Sequence, residues 1–520
     1  MILSSRLLKK TLVSTTSRRW YVDPCCNLNK KGLVLGAYDG CDAGDLKLTK
    51  TGAAYDDKLG GKIQHLIRGS GLKKGEARVF TNISPEFYAI AVAGLGKEGI
   101  GYNEMEELDY NKENIRVGAG LGARYIQEEG AGTIFMEDFS SAEASSEAGV
   151  LATWKYEDLK TKECQGASIK IEQFCGEDKD GWQRGFVKAE AQNIARKLEE
   201  TPSNIMNPTA FTQVAIDVLC PCGIQIEVRD RDWIENKKMF AFLSISKGSC
   251  EHPLFLEIAY CGTQVDDKPV VFIGKGITFD SGGLCLKPCE NMSEYRADLA
   301  GAAVVVGLIR AIAQLSLPVN VMGLIPLCEN MPGGMAIKPG DVVQAMNGRS
   351  IRVQDTDNEG RVIMADTLCY AAAFQPCLIM DIGTFTPGIR KAVGAGCSAV
   401  FSTSDVVWRE LRRAGSDTGD RVWRFPFWKY FTRQVTDYLG VDVSNVGKGG
   451  GGGSCLAAAF LKEFIPPLDF AHIDITGVGM TAMDDYHPYL RKGLMSGRPT
   501  RTLIQFIYQM SCPHDKPVDG

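Results

Sequence analysis

Two short segments combine acidic and basic side chains on glycine-containing turns. The first spans residues 274–283 and is followed by Lys287 and Asp298, and the second spans residues 355–361. In α/β proteins, turns at the ends of buried strands present the reactive groups. If these two turns lie on neighbouring strand ends, four carboxylates converge there, namely Asp280, Asp298, Asp357 and Glu359.

Converging carboxylates of this kind predict a pair of divalent cations. Hard or borderline divalent ions take oxygen ligands, and bridging carboxylates suit two ions about 3.5–4 Å apart. Four negative charges also balance two divalent ions. Asp357 and Glu359 are separated by one residue, so both can face one cavity if the turn is extended. The pattern therefore indicates a two-metal hydrolase centre.

Lys275 is a candidate nitrogen ligand in the first segment. A neutral amine can bind a metal, and removing the proton of lysine at pH 7 costs roughly 4–5 kcal/mol, which one metal–nitrogen bond can offset. Lys287 and Arg361 are expected to stay cationic and flank the metals, where they can polarise a carbonyl and hold an anion that relays a proton. Surface salt bridges would explain any one of these residues, but not the whole set.

The elements that must position these turns form two α/β domains. Residues 31–180 alternate short apolar runs with helix-prone stretches, which predicts a small N-terminal α/β domain. Residues 181–203 predict a linker helix, and residues 204–512 a larger C-terminal domain. Continuous apolar strands between helices, as at residues 270–273 and 378–382, predict a mostly parallel central sheet covered on both faces.

Composition narrows the class of protein. A chain of 520 residues with 44% hydrophobic residues suggests two globular domains, and a net charge of -5 without basic runs argues against nucleic-acid binding. The 17 scattered cysteines fit a reducing compartment, and five histidines without a His-x-x-x-His pair argue against a histidine-based zinc site. The longest apolar candidate, residues 302–327, is interrupted by polar residues, so no membrane insertion is expected.

The first 22 residues differ from the rest of the chain. They contain five basic residues and several Ser and Thr residues, and no acidic residue appears before Asp23. This composition predicts a mitochondrial transit peptide over residues 1–22 and a location in the matrix. A disordered tail on a cytoplasmic protein is the alternative.

Two glycine-rich motifs are interpreted as turns or loops. Residues 94–99 match a dinucleotide fingerprint, but the segment after them is polar and lacks the apolar face of a phosphate-binding helix. Residues 447–454 precede a helix-like segment without the Lys-Ser or Lys-Thr of a phosphate-binding loop.

The two charged segments, residues 274–298 and 355–366, resemble those of the leucine aminopeptidase family of metallopeptidases, also called cytosol aminopeptidases. The family signature Asn-Thr-Asp-Ala-Glu-Gly-Arg is present as Asp-Thr-Asp-Asn-Glu-Gly-Arg at residues 355–361. Supporting segments lie at residues 200–204, 328–332, 338–343, 491–494 and 497–500. The resemblance covers nearly all of the second domain, and it implies a macro-like N-terminal domain in front of a catalytic one.

The resemblance implies a role for each residue of the centre. One Zn²⁺ or Mn²⁺ would be held by Lys275, Asp280, Asp298 and Glu359, and the other by Asp280, Asp357 and Glu359. Lys287 corresponds to an electrophilic lysine, and Arg361 to an arginine that holds a bicarbonate acting as general base. A peptide substrate would bind by its free amino group, and the protein would be a homohexamer.

The sequence departs from the family pattern around the substrate. The family loop Ala-Thr-Leu-Thr-Gly-Ala reads Gly-Thr-Phe-Thr-Pro-Gly at residues 383–388, which makes Thr384, Phe385 and Pro387 the candidate substrate contacts. Pro387 has no N–H to donate, and Tyr295 replaces an apolar methionine of the pocket. We therefore expect the metals to bind and leucyl substrates to fit poorly.

A second interpretation is a structural role. The chain is also similar to divergent mitochondrial members of the family in insect sperm, some of which serve as abundant structural proteins. In that case the hexamer itself is the functional product and catalysis is residual. The intact ligand set favours an enzyme, whereas the altered pocket favours the structural role.

Overall fold

The computed structural model describes residues 30–40, 45–166, 168–482 and 486–512. The predicted transit peptide, residues 1–22, lies outside the described residues.

The N-terminal half is built on a six-stranded sheet with the order β3-β4-β1-β7-β8, in which β2 pairs with β1. Its elements are β1 (Lys31–Asp39), β2 (Leu46–Leu48), α1 (Lys50–Lys58), α2 (Lys62–Arg68), β3 (Ala77–Thr81), β4 (Ala89–Gly96), β5 (Tyr102–Asn103), β6 (Leu108–Asp109), α3 (Tyr110–Glu128), β7 (Thr133–Met136), α4 (Ala142–Thr153) and β8 (Lys170–Gln173). Strands β4, β1, β7 and β8 are parallel, and β2 and β3 pair antiparallel to their neighbours. All eight residues of β4 are buried, as a strand covered on both faces requires.

The dinucleotide-like motif at residues 94–99 is a turn in the structure. β4 ends at Gly96, and the next helix, α3, begins only at Tyr110. Gly96 and Gly99 both have positive φ angles, which is a backbone conformation that glycine adopts without strain. The prediction of a glycine-rich turn is therefore confirmed.

The two halves are joined by the long helix α5 (Lys179–Glu200). The side chain of Asp178 accepts a hydrogen bond from the N–H of Gly181 and caps the start of the helix. The helix ends before Thr201 because the residue in front of Pro202 is disfavoured in helical geometry. The sequence pattern predicted this helix at residues 181–203, so its predicted end lies three residues beyond the observed end.

The C-terminal half is built on a nine-stranded sheet with the order β18-β17-β20-β16-β11-β13-β10-β9, in which β12 pairs with β13. Its elements are α6 (Pro208–Leu219), β9 (Gln225–Arg229), α7 (Arg231–Asn236), α8 (Phe240–Ser246), β10 (Leu254–Cys261), β11 (Val270–Gly274), β12 (Gly276–Asp280), α9 (Ala300–Gln314), β13 (Asn320–Asn330), β14 (Val342–Gln344), β15 (Ser350–Arg352), α10 (Glu359–Ala371), β16 (Leu378–Gly383), α11 (Pro387–Val393), β17 (Ser398–Ser402), α12 (Asp405–Thr418), β18 (Val422–Arg424), α13 (Lys429–Thr436), β19 (Val443–Ser444), α14 (Gly453–Lys462), β20 (Asp469–Asp474) and α15 (Thr500–Ser511).

The middle of this large sheet is parallel and its edges are mixed. β20, β16, β11 and β13 pair in parallel, whereas β10 and β9 are antiparallel and β17 runs antiparallel to β20. One hydrophobic cluster, which includes α9, packs on one face, and a second, which includes α10 and α14, packs on the other. The two-domain α/β fold with a largely parallel central sheet is confirmed.

One helical stretch, Met292–Gln314, is long and apolar enough by composition to cross a membrane. The longest apolar candidate in the sequence, residues 302–327, overlaps this stretch over residues 302–314. Of its most apolar window, 83% is buried inside the fold, as in the core helix of a globular domain.

The halves dock through buried charges. Glu147 on α4 pairs with Arg116 on α3 at 2.6 Å and with Arg501 on α15 at 2.8 Å, and all three side chains are at most 1% exposed. Removing one partner of such a buried set leaves an uncompensated charge at a cost of about 3–5 kcal/mol. The position of one half against the other is therefore well defined.

Candidate metal centre

The charged residues meet at the carboxyl ends of the parallel strands. Lys275 lies between β11 and β12, where its N–H donates to the carbonyl of Ile382 and its carbonyl accepts from the N–H of Ala302, both at 2.9 Å. These two hydrogen bonds attach the backbone of Lys275 to the end of β16 and to the first turn of α9. The backbone under the predicted nitrogen ligand is thus fixed from both sides.

Three of the four predicted carboxylates form one cluster. Asp280 ends β12, Asp357 lies in the turn before α10, and Glu359 is the first residue of α10. Each offers an oxygen within 4.8 Å of the other two. The turn is not extended as expected; the start of the helix brings Glu359 and Asp357 to the same cavity instead.

Lys275 connects the fourth carboxylate to this cluster. Its ammonium nitrogen lies 2.7 Å from Asp298 Oδ2 and 2.7 Å from Glu359 Oε1. It also donates to the carbonyl of Thr384 at 2.6 Å, while the Thr384 hydroxyl donates to Asp298 Oδ1 at 2.5 Å. A Cβ placed on Gly360 would lie 2.8 Å from the same ammonium nitrogen, so only glycine leaves room for this lysine.

Lys287 approaches the cluster from the side of the cavity mouth. Its ammonium group pairs with Asp280 Oδ2 at 2.8 Å and with Asp357 Oδ1. Its nitrogen also lies 4.0 Å from the centroid of the Tyr295 ring, which is cation–π contact distance. Asp357 is the most exposed of these ligands, with 31% of its side chain accessible, so the mouth opens at this residue.

The cluster contains more carboxyl groups than ammonium groups. Burial raises the pKa of all four carboxyl groups, and it raises the pKa of Asp357 to about 7. Burial works to lower the pKa of Lys275, but Asp298 and Glu359 outweigh it and raise that pKa above its ordinary value. Two ammonium groups facing four carboxylates leave two negative charges unbalanced.

These residues fit divalent cations. Glu359 Oε2 is buried and has neither a hydrogen bond nor an ion pair among the described residues, whereas Glu359 Oε1, Asp298 Oδ2 and Asp357 Oδ1 are buried and contact only the two ammonium groups. Buried acceptors without donors are costly unless a cation binds them. Oxygen-rich ligation with one amine suits Mn²⁺ or Zn²⁺.

Arg361 lies at the back of the site, 3% exposed. It donates to the carbonyl of Asn445 at 2.7 Å and to Asn358 Oδ1 at 2.6 Å, while its Nε has no partner among the described residues. Burial lowers its pKa to about 10, so the guanidinium remains charged at neutral pH. A buried guanidinium with an unused N–H can hold a small anion such as bicarbonate.

Asp355 plays a local structural part. Its carboxylate accepts from the N–H of Asp357 at 2.9 Å and from the side-chain amide of Asn358 at 2.8 Å. This Asx-type turn shapes the segment before α10. The extra charge relative to the family motif is therefore engaged by hydrogen bonds within the turn.

Two asparagines that support the centre escaped the sequence interpretation. Asn330, at the end of β13, donates to Asp280 Oδ1 at 2.8 Å and to the carbonyl of Thr356 at 3.0 Å. Asn445 binds both the carbonyl of Asp355 and the N–H of Gln354. Asn330 lies in the supporting segment at residues 328–332 and at the end of an apolar strand run, but neither signal gave it a role.

The predicted substrate contacts divide into two groups. Phe385 is only 7% exposed and packs against the ring of His472, and Thr384 contacts the predicted metal ligands Asp298 and Lys275. Pro387 is exposed and is the first residue of α11, where a missing N–H costs nothing to the helix. Tyr295 is half-buried beside Lys287. Tyr295 and Pro387 therefore form the accessible rim of the site.

The fold and this centre define a metal-dependent hydrolase of the α/β class. Two family models match the chain, the cytosol aminopeptidase family catalytic domain at residues 193–504 and the N-terminal domain of the same family at residues 34–163. The chain belongs to the cytosol aminopeptidase family, whose members are metallo-exopeptidases.

Known relatives match over nearly the full length. The cytosol aminopeptidase of Bos taurus is 44% identical over 503 residues, covering 96% of each chain, and that of Homo sapiens is 45% identical over 487 residues, covering 92% of this chain and 93% of the relative. The solved structure of the bottromycin maturation enzyme BotP in complex with Mn has a TM-score of 0.78 and 26% identity, and it covers 93% of this chain and all of that one.

Proposed function

We propose that the protein is a two-metal aminopeptidase that releases N-terminal, leucine-like residues from peptides through an altered pocket. The observation that carries the proposal is the buried cluster of Asp280, Asp357 and Glu359 beside Lys275 at the carboxyl end of a parallel sheet. The aminopeptidase names of its relatives and the manganese complex of BotP support the reaction class and the metal.

In this proposal Lys275, Asp280, Asp298 and Glu359 hold one Zn²⁺ or Mn²⁺, and Asp280, Asp357 and Glu359 hold the other. When bound, a pair of divalent ions polarises the scissile carbonyl and lowers the pKa of an attacking water. Thr384 orients the first set of ligands, because it binds both Asp298 and Lys275. Asn330 orients Asp280 in the same way.

Two cations of the chain complete the chemistry. The ammonium group of Lys287 reaches the cavity mouth and would stabilise negative charge that develops on the carbonyl oxygen of the substrate. The guanidinium of Arg361 would hold bicarbonate, which would accept and return the proton of the reaction. Both side chains are fixed by hydrogen bonds or ion pairs, so little reorganisation is needed.

The rim of the pocket supports weaker activity on leucyl substrates. The Tyr295 ring occupies space beside Lys287, and Pro387 begins α11 without an N–H to offer a substrate. One lost substrate hydrogen bond lowers the turnover efficiency by about 10- to 100-fold.

The test combines metal analysis with a cleavage assay. We expect purified protein to bind two Mn²⁺ or Zn²⁺ per subunit and to cleave a peptide library from the N-terminus, more slowly on leucyl-p-nitroanilide than an ordinary family member. Asp357→Ala should lose one metal and the activity. Asp266→Ala, the same change at an exposed acidic residue outside the centre, is the matched control. Full metal content and activity in Asp357→Ala would overturn the proposal.

A structural role in a homohexamer is the second candidate, and the altered rim favours it. Four large side chains in one stretch are exposed, namely Trp423, Trp428, Tyr430 and Leu439, and such apolar exposure is typical of a subunit contact. If the role is structural, Asp357→Ala assembles normally and keeps its biological role, whereas an enzyme loses that role. The proposed site of action is the mitochondrial matrix, and import of residues 1–22 fused to a reporter tests it.

A further inference from the structure

A second cavity lies on the seam between the two halves of the protein. Its volume is about 850 Å³, and its lining shares no residue with the metal centre. One wall consists of residues on α3, α4 and α5, and the opposite wall of residues on α12 and α15. A ligand in this cavity would contact both halves at once.

Basic side chains outnumber acidic ones in this cavity, five to three. The three acids are already engaged. Asp417 pairs with Lys112, Glu143 pairs with Lys188, and Asp109 accepts from a backbone N–H to cap α3. Glu143 also pairs with Arg184, and none of the three acids pairs with Arg409 or Arg413.

Two arginines on α12 have no acidic partner. Arg409 and Arg413 lie one helical turn apart and line the same wall, and neither forms an ion pair within the described part of the chain. Arg409 donates only to the carbonyl of Asp405, at 3.4 Å. Arg184 faces them from the opposite wall and is shared with Glu143 at 3.4 Å. The cavity thus has guanidinium groups on both sides and an uncompensated positive charge.

We propose that this seam cavity is a binding site for a diphosphate group. A guanidinium presents N–H donors in a planar fork that matches phosphate oxygens, and cations on two facing walls suit an anion with more than one charged group. Tyr102, which is 51% exposed, lines the same cavity and offers a ring on which an organic part of the ligand can stack. Since a bound ligand bridges the halves, it stabilises their docking.

Three forms of the full chain loaded with Mn²⁺ test the site: the wild type, Arg409→Gln/Arg413→Gln and Arg68→Gln/Arg433→Gln. The last pair removes the same charge from exposed helix positions elsewhere. Thermal unfolding is followed with pyrophosphate, with ADP, with adenosine, and with NaCl at equal ionic strength. Chelation of metal by pyrophosphate affects all three proteins alike, so the difference between them isolates the seam cavity.

At saturating pyrophosphate we expect the wild type and the Arg68→Gln/Arg433→Gln control to melt at least about 2 °C higher than Arg409→Gln/Arg413→Gln does, each relative to NaCl. Titration calorimetry should show at least about 10-fold weaker binding to the cavity variant, because two charge-assisted hydrogen bonds are lost. An effect of ADP that exceeds that of pyrophosphate indicates a nucleotide, and equal effects indicate the diphosphate alone.

The same shift in all three proteins, or no shift in the wild type, overturns the proposal. Neither result depends on peptidase activity, so the proposal for the seam cavity and the proposed function can each fail without the other.

Discussion

The ring centroid of Tyr295 lies 4.0 Å from the ammonium nitrogen of Lys287. The same ammonium group pairs with Asp280 at 2.8 Å. A residue on the accessible rim is therefore in direct contact with the cation proposed to act on the substrate carbonyl. A change of side chain at position 295 alters the shape of the pocket and the surroundings of Lys287 together.

Replacing Tyr295 by methionine should raise activity on leucyl substrates. The flexible thioether opens the pocket and frees Lys287 from the aromatic ring. We expect kcat/KM for leucyl-p-nitroanilide to rise about 10-fold, equivalent to about 1.4 kcal/mol. Tyr295→Phe keeps the ring and is the control, with little change expected. Equal behaviour of the two variants would show that the ring does not restrict the site.

Replacing Thr384 by valine should weaken metal binding. The change removes the hydroxyl that donates to Asp298 Oδ1 and leaves a buried carboxylate oxygen less well oriented. A lost hydrogen bond to a charged group is worth about 1.5–3 kcal/mol, so the Kd for Mn²⁺ should rise by about 10- to 100-fold. Thr384→Ser retains the hydroxyl and should bind as the wild type does. Competition with a fluorescent chelator measures both constants, and unchanged affinity in Thr384→Val would contradict the proposed role.

Glu137 should make the protein less stable as the pH rises from about 5 to about 8. Burial raises the pKa of this carboxyl to about 8, although hydrogen bonds from Thr49 and Gly36 act against the rise. Between its unfolded pKa, about 4.3, and about 8, the folded state binds more protons than the unfolded state, so stability falls with pH.

Glu137→Gln should remove this contribution, because glutamine stays neutral and keeps an acceptor for Gly36. Urea unfolding of both proteins at several pH values gives the difference in the free energy of unfolding. That difference isolates Glu137 from the carboxyl groups of the metal centre, which shift in the same direction. A difference that does not change with pH would show that Glu137 keeps the same proton in both states.

Replacing Arg361 by methionine should abolish any stimulation by bicarbonate while the metals stay bound. The variant lacks the charged group proposed to hold the anion, but it leaves all five proposed metal ligands in place. In buffer freed of carbon dioxide, added bicarbonate should increase kcat for the wild type and not for the variant. Metal analysis of both proteins is the control. Stimulation of Arg361→Met would assign bicarbonate to another group.

The sequence predicted that the carboxylates converge because they fall in two short motifs. An apolar run at residues 270–273 precedes the motif that contains Asp280, and Asp357 and Glu359 share the other motif. The roles of Asn330 and Asn445 were missed because each reaches the centre from its own distant segment, through contacts that span 50 and 90 residues.

The fold was predicted to a similar extent. Buried strands such as β4 and the long helix α5 have clear patterns, whereas the antiparallel edges of the large sheet depend on which strands meet in space. Pro387 at the start of α11 could have been inferred, since proline is favoured at the first position of a helix. The seam cavity could not, because its two walls belong to different halves of the chain.

The site has a crowded floor around Gly360 and a more accessible rim, and only the rim is open to redesign. Even one added methyl group there would press on the amine of Lys275, so the floor of the site tolerates no bulk. The rim at positions 295 and 387 is more accessible, although a change at position 295 also alters the surroundings of Lys287. An engineer who seeks a new preference for the leading amino acid of a peptide should therefore begin at the entrance and leave the interior untouched.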